Sequence, residues 1–253
     1  MIKAVTFDIW DTIVHDDSDE PKRTARGLRS KREERRHLLW EALNAEEPIG
    51  RDEVFLAYDV MEAAFNHVWH DQHVTWLIDE RLRVALAGLG RDLSEDALAH
   101  VVQGHAEMEV DIPPDLIEGM DKAIQELSTR YKLGIVSDAI VTPGTGLRQL
   151  LDRYGLRQYF SGFAFSDEAG HSKPHRDVFD SVARQMGVAV EEMVHVGDRD
   201  HNDVKGPQAI GMKAVLLTAS RDRDKDITTA DAICARATDL PGIIDGLAAA
   251  EAA

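Results

Sequence analysis

The fold is decided at residues 4–12, which read AVTFDIWDT. Residues 4–7 form a short, mostly apolar run, which is typical of a parallel strand that is buried on both faces. Asp8 and Asp11 follow this run, with Trp10 between them. Because an open parallel sheet binds its ligands beyond the carboxyl ends of its strands, we expect this turn to belong to a functional site.

Similar apolar runs recur in the second half of the chain, where they alternate with helical patterns. Gly155 and Gly187 stand where the helical patterns 147–154 and 176–186 should end. Strands that alternate with helices predict the α/β class, with a doubly wound, mostly parallel sheet of the Rossmann-like kind. The further predicted strands are 133–136, 162–165, 193–196 and 214–217.

The first two predicted strands are over a hundred residues apart, which is far more than a crossover connection requires. The intervening chain has helical periodicity, so we expect residues 15–111 to form an inserted all-helical domain. Residues 1–14 and 112–253 then form the core around the sheet. The predicted helices of the insert are 34–43, 52–70, 76–89 and 94–110. The tryptophans expected in its core are Trp40, Trp69 and Trp76.

The composition excludes several classes of partner. The chain has 46 acidic and 29 basic side chains and a net charge of −17, which disfavours binding to nucleic acid or to an anionic membrane. No apolar run approaches the roughly 18 residues of a membrane helix, and the N-terminus leaves no room for a signal peptide. Cys234 is the only cysteine and is expected in the core, so we expect a cytoplasmic protein without disulfides.

Two clusters in the insert allow two interpretations each. Basic side chains concentrate in residues 22–36, where the spacing to Glu33 and Glu34 favours a solvated helix face over a guide for an anionic substrate. For a group of histidines near Asp71, helix packing or a polar lining of the substrate entrance is favoured over a metal site. These histidines are His67, His70 and His73.

Polar side chains also follow the other predicted strands. Ser137 and Asp138 come after the second strand, Asp198 and Asp203 follow strand 193–196, and Lys173 follows strand 162–165. Several carboxylates, one hydroxyl and one ammonium group therefore converge on one crevice. Clustered carboxylates repel each other unless a hard cation neutralises them, and a cluster of oxygen ligands suits Mg²⁺.

At these positions the chain resembles the haloacid dehalogenase superfamily, which has four spaced motifs. Counterparts occur here in the same order, at residues 7–12, 135–138, 173–174 and 197–203. The resemblance covers essentially the whole core, and the helical insert stands where this superfamily has its helical cap. Each motif is weak alone, but the order and spacing of all four are specific.

The resemblance implies a role for each motif. Asp8 would be the covalent nucleophile, Ser137 would hydrogen-bond the transferring phosphoryl group, and Lys173 would offset negative charge around both. The implied magnesium ligands are Asp8, the carbonyl oxygen of Trp10, Asp198 and Asp203. The expected substrate contacts are Thr12, Asp138 and Trp10.

Trp10 departs from the pattern of the phosphatases in this superfamily, in which an aspartate at this position protonates the leaving group. Indole cannot transfer a proton, and general acid–base catalysis is worth about 10²–10⁴-fold. Three interpretations follow, in order of preference: a Mg²⁺-dependent phosphohydrolase of a small anionic metabolite, a 2-haloacid dehalogenase, and a non-catalytic phosphate-binding protein. The Gly197-Asp198 pattern is typical of a metal site in this superfamily. It therefore favours the phosphohydrolase, since the dehalogenases of the superfamily work without a metal.

Overall fold

A six-stranded parallel sheet forms the centre of the computed structural model, which describes residues 1–250. The strands are β1 (Ala4–Phe7), β2 (Lys132–Ser137), β3 (Phe160–Phe165), β4 (Met193–Gly197), β5 (Lys213–Leu217) and β6 (Ala232–Cys234). Their order is β3-β2-β1-β4-β5-β6. The order changes direction between β1 and β4, which opens a crevice at the carboxyl ends of these two strands.

Burial on both faces explains why such short runs form strands. Phe7 lies opposite Ile135 of β2 and Val196 of β4, and every residue of β1 is buried. Successive side chains of a strand point to opposite faces. Val5 and Phe7 accordingly enter one hydrophobic cluster, and Ala4 enters another.

The predicted α/β class with a parallel sheet is confirmed. Each of the five predicted strands is present, with no end shifted by more than two residues. Strand β6 was not predicted, because it has only three residues and its Ile233 side chain is exposed. Cys234 in this strand is buried, as expected.

Eleven α-helices accompany the sheet in residues 1–250. Helices α1 to α6 precede β2, and α7 to α11 alternate with the later strands or follow them. They are α1 (Glu20–Ala25), α2 (Lys31–Glu46), α3 (Arg51–Gln72), α4 (Ile78–Leu89), α5 (Glu95–Asp111), α6 (Met120–Ser128), α7 (Gly144–Arg153), α8 (Ser166–Ala169), α9 (Arg176–Met186), α10 (Gly206–Ala209) and α11 (Leu240–Ala250). None of the helices in residues 1–250 has the length and apolar character needed to cross a membrane.

The four long helices α2 to α5 pack around a hydrophobic cluster of their own, which includes Leu39, Val54 and Leu82. Trp40 packs against this cluster. Trp69 instead stacks on Phe65, at 6.1 Å between ring centroids. The helical content of the insert therefore agrees with the sequence, while the domain boundaries at residues 14/15 and 111/112 stay a prediction.

The structure corrects the interpretation of residues 22–36 as one solvated face. Ser30 and Glu33 form a capping box at the start of α2, in which each side chain accepts a hydrogen bond from the backbone N–H of the other residue. Arg29 pairs with Glu34 near the surface, as a solvated face requires. Lys31, however, is only 4% exposed. A face of α2 is therefore turned inward, because the start of this helix packs against the connections to the sheet.

The expected histidine cluster is dispersed. His67 forms an exposed pair with Asp71 at 2.8 Å, and His73 ends α3 in the left-handed conformation. Within residues 1–250, no metal-ligating group contains His67, His70 or His73.

Candidate active site

The candidate site lies where three strands end. Asp8 directly follows β1, Ser137 is the last residue of β2, and Asp198 directly follows β4. A π-helical turn after β4, Asp200–Lys205, carries Asp203, and the loop between α8 and α9 carries Lys173. The sequence-predicted catalytic and metal-binding side chains are thus brought together.

Asp8 is 5% exposed, and its carboxylate is held by three donors. The backbone N–H of Ile9 and the hydroxyl of Ser137 each donate to Oδ1 at 2.7 Å, and Lys173 Nζ lies 3.0 Å from the same oxygen. Within residues 1–250, Oδ2 of Asp8 makes no hydrogen bond. The arrangement fixes the rotation of the carboxylate and leaves one of its oxygens free to react.

Lys173 joins the two halves of the site. Its ammonium group donates to Asp203 Oδ1 at 2.7 Å and pairs with Asp8, while the side chain is almost completely buried. Burial alone would lower the pKa of Lys173, but the carboxylates of Asp203 and Asp8 raise it above its usual value. The group is therefore a permanent cation, and it acts by its charge rather than as a proton donor.

Asp8, Asp198 and Asp203 form an oxygen-only cluster whose ligand atoms lie within 4.8 Å of one another. Burial raises the pKa of Asp198 to about 7, and the negative charges of Asp203 and Asp8 act in the same direction. Arg221 donates to Asp198 Oδ2 at 3.0 Å and offsets part of this charge. Such a surplus of buried negative charge on oxygen ligands fits a hard divalent cation.

Asp203 is the most tightly held carboxylate of the cluster. It is fully buried, and it also accepts hydrogen bonds from His195 Nε2 at 3.2 Å and from the Arg199 N–H at 3.0 Å. Although burial raises the pKa of Asp203, the charge of Lys173 outweighs it and holds this pKa below the usual range. Asp203 therefore stays ionised.

Gly197 permits this packing at the end of β4. A Cβ atom at this position would lie 2.3 Å from Cγ of Asp203, which is closer than real side chains approach. The π-helical turn folds Asp203 back across the backbone of Gly197, and only a residue without a side chain leaves that space.

The remaining predicted positions differ in their exposure to the site. Asp138 accepts a hydrogen bond from the Lys173 N–H at 2.9 Å, and burial raises its pKa to about 7 despite the charge of Lys173. Trp10 is half-buried at the cavity wall.

Thr12 is completely buried without a partner for its hydroxyl, so it is not exposed to a substrate in this arrangement. Asp11 accepts a hydrogen bond from Ser220 Oγ at 2.5 Å, as a residue directed away from Asp8 should.

Asp8 and Trp10 open onto a cavity of about 180 Å³ between the sheet and the insert. Helix α2 contributes Lys31 and Arg35 to the cavity wall, and α3 contributes Trp69. The side of α2 that we expected to be solvated therefore faces the site. The alternative interpretation of the basic run, a guide for an anionic substrate, stays a prediction for Arg35, while Lys31 is paired with Asp17, Asp19 and Glu109. The core contributes further polar lining residues, namely Asp138, Lys173, Arg199 and Asn202.

Several of these groups were missed in the sequence. Arg221 comes shortly after β5, so the rule that polar residues beyond strand ends form the site would have found it if applied to that strand. His195 interrupts an apolar strand with a polar side chain, which was a usable signal for a buried hydrogen bond. Arg35 was part of the basic run 22–36, but a solvated face was favoured for that run, because only the packing of the insert on the core places Arg35 at the cavity.

Comparison with known proteins agrees with this fold and crevice. A doubly wound parallel sheet with a helical insert after its first strand defines the α/β class of the fold. The model of haloacid dehalogenase-like hydrolases matches residues 2–211, and the chain belongs to that family. It is therefore a hydrolase.

Similar proteins in this family include phosphatases and dehalogenases. The glyceraldehyde 3-phosphate phosphatase of Methanopyrus kandleri is 26% identical over 232 residues, which cover 89% of this chain and 88% of that protein. A phosphatase structure from Thermococcus onnurineus has a TM-score of 0.63 at 24% identity and covers 97% of this chain and 99% of its own. A 2-haloacid dehalogenase structure from Pseudomonas syringae has a TM-score of 0.67 at 22% identity and covers 98% and 100%.

The close approach at Gly197 gives a direct test of the acid cluster. Gly197→Ala should displace Asp203, weaken Mg²⁺ binding measured by calorimetry, and cost about 1–3 kcal/mol in the free energy of unfolding. Gly88→Ala in α4 is the control, since no atom lies within 4 Å of its Cβ position. Undiminished Mg²⁺ affinity in Gly197→Ala would show that Asp203 is not held as described.

The raised pKa of Asp198 predicts how cation binding depends on pH. A carboxyl group with a pKa of about 7 loses its proton as the pH rises, and only the ionised form binds a cation. Mg²⁺ affinity should therefore increase by about tenfold between pH 6 and pH 8. Asp138→Asn should retain the increase, because Asp138 lies outside the cluster. An affinity independent of pH in this range would contradict the assignment.

Proposed function

We propose that this protein is a Mg²⁺-dependent phosphohydrolase that acts on a small phosphorylated metabolite through an aspartyl phosphate on Asp8. The observation that carries the proposal is the buried cluster of Asp8, Asp198 and Asp203, in which Lys173 pairs with Asp8 and Asp203 and Asp8 lines a cavity. A carboxylate attacks phosphorus only where positive charge screens the repulsion between the two anions. The cluster provides both the carboxylate and the positions for those cations.

The chemistry proceeds in two displacements. Asp8 Oδ2 attacks the phosphorus, the bond from phosphorus to the leaving oxygen breaks, and the leaving oxygen takes up a proton. Water then attacks the aspartyl phosphate, which releases inorganic phosphate and restores the carboxylate. Ser137 and Lys173 hold Asp8 Oδ1 and present a hydroxyl and a positive charge where the phosphoryl oxygens gather.

Asp8, the Trp10 carbonyl oxygen, Asp198 and Asp203 are the residues that would hold Mg²⁺. When bound, this ion supplies positive charge between the phosphoryl oxygens and the attacking carboxylate. The burial of Asp198 beside two further carboxylates, which together raise its pKa to about 7, supports this assignment.

Trp10 leaves open which group protonates the leaving oxygen. We propose Asp16, which lines the same cavity as Asp8 and Trp10. Although Asp16 is exposed to solvent on one side, the protein around it and the neighbouring charge of Asp17 raise its pKa to about 6. A carboxyl group of this pKa carries a proton for part of the time near neutral pH and is suited to give it up.

The size of the cavity and its two arginines support a small anionic substrate. Its volume is about 180 Å³, and it is lined by Arg35 from the insert and Arg199 from the core. The relative from Methanopyrus kandleri is named for a three-carbon phosphate ester, which is a substrate of this size. We infer a compact phosphorylated metabolite with few carbon atoms.

A dehalogenase is the second candidate, and Trp10 is the observation that favours it. In that reaction Asp8 would attack carbon, and the halide would leave without a proton, so no acid is needed at position 10. The cluster of Asp8, Asp198 and Asp203 would then have no role as a cation site, since carbon–halogen displacement by a carboxylate does not require a cation. We therefore rank this activity below phosphate ester hydrolysis.

A substrate panel of phosphate esters and 2-haloacids, tested with and without Mg²⁺, decides between the two. We expect release of phosphate only with Mg²⁺, and a loss of at least about 1000-fold in Asp8→Asn, whose amide is not nucleophilic. Asp226→Asn, at an exposed position, is the control and should keep full activity. Halide release that persists in a chelator would replace this proposal with the dehalogenase.

The proton donor is tested by a rescue experiment with alkyl phosphates, which depend most on protonation. Asp16→Asn should lower their turnover by about 100-fold. Adding Trp10→Asp should restore it, because an aspartate at position 10 supplies the proton instead. Asp226→Asn, at an exposed position that does not line the cavity, is again the control. Unfolding must be followed beside the rate, since the loss of a packed indole can cost a few kcal/mol. No effect of Asp16→Asn in a folded protein would exclude Asp16.

A further inference from the structure

A second metal-ligating group lies outside the acid cluster. His171, His175 and Asp177 each offer one ligand atom, and these atoms lie within 4.8 Å of one another. Asp177 Oδ2 is 3.3 Å from His171 Nδ1 and 3.6 Å from His175 Nδ1. We propose that these three side chains bind a borderline divalent metal ion of the Zn²⁺ class, which braces the loop that carries Lys173 against the helical insert.

The distances agree with tetrahedral coordination. Zinc bonds of about 2.0–2.1 Å to nitrogen and oxygen place neighbouring ligand atoms about 3.3–3.4 Å apart. The two measured nitrogen–oxygen distances are equal to this value or a few tenths of an ångström longer. Two imidazoles and one carboxylate form a three-ligand set of the kind that Zn²⁺ occupies with water as the fourth ligand.

His171 has a nitrogen that lacks a partner. Its Nδ1 is buried and makes no hydrogen bond in residues 1–250, although Asp177 is close enough for contact. The His175 Nδ1 accepts only a long, 3.3 Å hydrogen bond from the Asp177 N–H, at the start of α9. The His171 Nδ1 therefore has a lone pair that a metal can take at little cost, whereas the His175 Nδ1 would exchange its long hydrogen bond for the metal.

Binding requires one local adjustment. The rings of His171 and His175 stack face to face, with centroids 3.9 Å apart and planes inclined by 8°. Their in-plane lone pairs converge on one ion only after the rings rotate about χ2, a torsion with broad preferences in histidine. Side-chain exposures of 36% for both histidines and 58% for Asp177 leave room for this rotation and a path for the ion.

The position of the group gives the ion a structural role. His171 forms a β-bridge with Val74 of the insert, and the Ser172 N–H donates to the His73 carbonyl oxygen at 2.8 Å. The loop 171–177 is therefore already tied to the end of α3. Lys173 lies between the two histidines, so an ion there would fix the backbone that presents this ammonium group to Asp8.

The ligand chemistry separates this group from the acid cluster. Asp8, Asp198 and Asp203 offer only oxygen, which Mg²⁺ prefers, whereas imidazole nitrogen prefers Zn²⁺ and related ions. The inference is independent of the reaction that Asp8 performs, because none of its ligands contacts the cavity.

Zinc titration calorimetry of the full chain, in buffer with millimolar Mg²⁺ to fill the acid cluster, tests the proposal. His171→Ala and Asp177→Asn should each lose one equivalent of bound Zn²⁺ or weaken it by at least about 100-fold. His67→Ala is the control, because His67 also pairs with an aspartate but has no second histidine beside it. Circular dichroism of each variant without zinc verifies folding.

Hydrogen exchange provides a readout that a merely structural role of these side chains would not give. Zn²⁺ should slow exchange in residues 166–177 and 73–75 of the wild type, and should have no such effect in His171→Ala. Absence of zinc binding by the wild type, or equal stoichiometry and affinity in the wild type and both ligand variants, would overturn the proposal.

Discussion

The structure depends on one buried ammonium group, that of Lys173, between the carboxylates of Asp8 and Asp203. Each of these charges would be unfavourable alone in the protein interior, and removing one partner of such a set costs about 3–5 kcal/mol. Satisfying them requires the end of β1, the loop before α9 and the turn after β4 to meet. The sheet order and the π-helical turn are the means by which the chain brings these segments together.

Further charged groups at the edge of the acid cluster contribute to the charge balance around Lys173. The acid cluster has more negative charge than Lys173 can neutralise, and arginines at its edge, Arg221 and Arg199, offset part of the remainder. Arg221 donates to Asp198 Oδ2, so a cation bound at the cluster would share the carboxylate of Asp198 with an arginine.

Most of the core and of its acidic crevice could be predicted from the sequence, because the residues of the crevice are next to the strands in the chain. Asp8, Ser137 and Asp198 stand directly at the ends of apolar runs, so the strand pattern alone places them at one edge of the sheet. The cavity wall could not be predicted in this way. Whether Arg35 on α2 faces solvent or substrate depends on how the insert packs against the core, and a charge pattern on a helix contains no such information. Strand β6 was missed because three residues are too few for periodicity to register.

Lys31 has a mechanical consequence for the two connections between insert and sheet. Its buried ammonium group contacts Asp17 and Asp19 on the outgoing connection and Glu109 near the end of α5, at distances of 2.9–3.1 Å. The outgoing connection is thus tied to the end of α5. Closer to the sheet, the β-bridge between Val14 and Leu116 ties the outgoing connection to the returning one, so a swing of the insert would have to move both connections together. Dissolved salt will not loosen the contacts of Lys31 with Asp19 and Glu109, because a largely buried ion pair is screened far less than one in water.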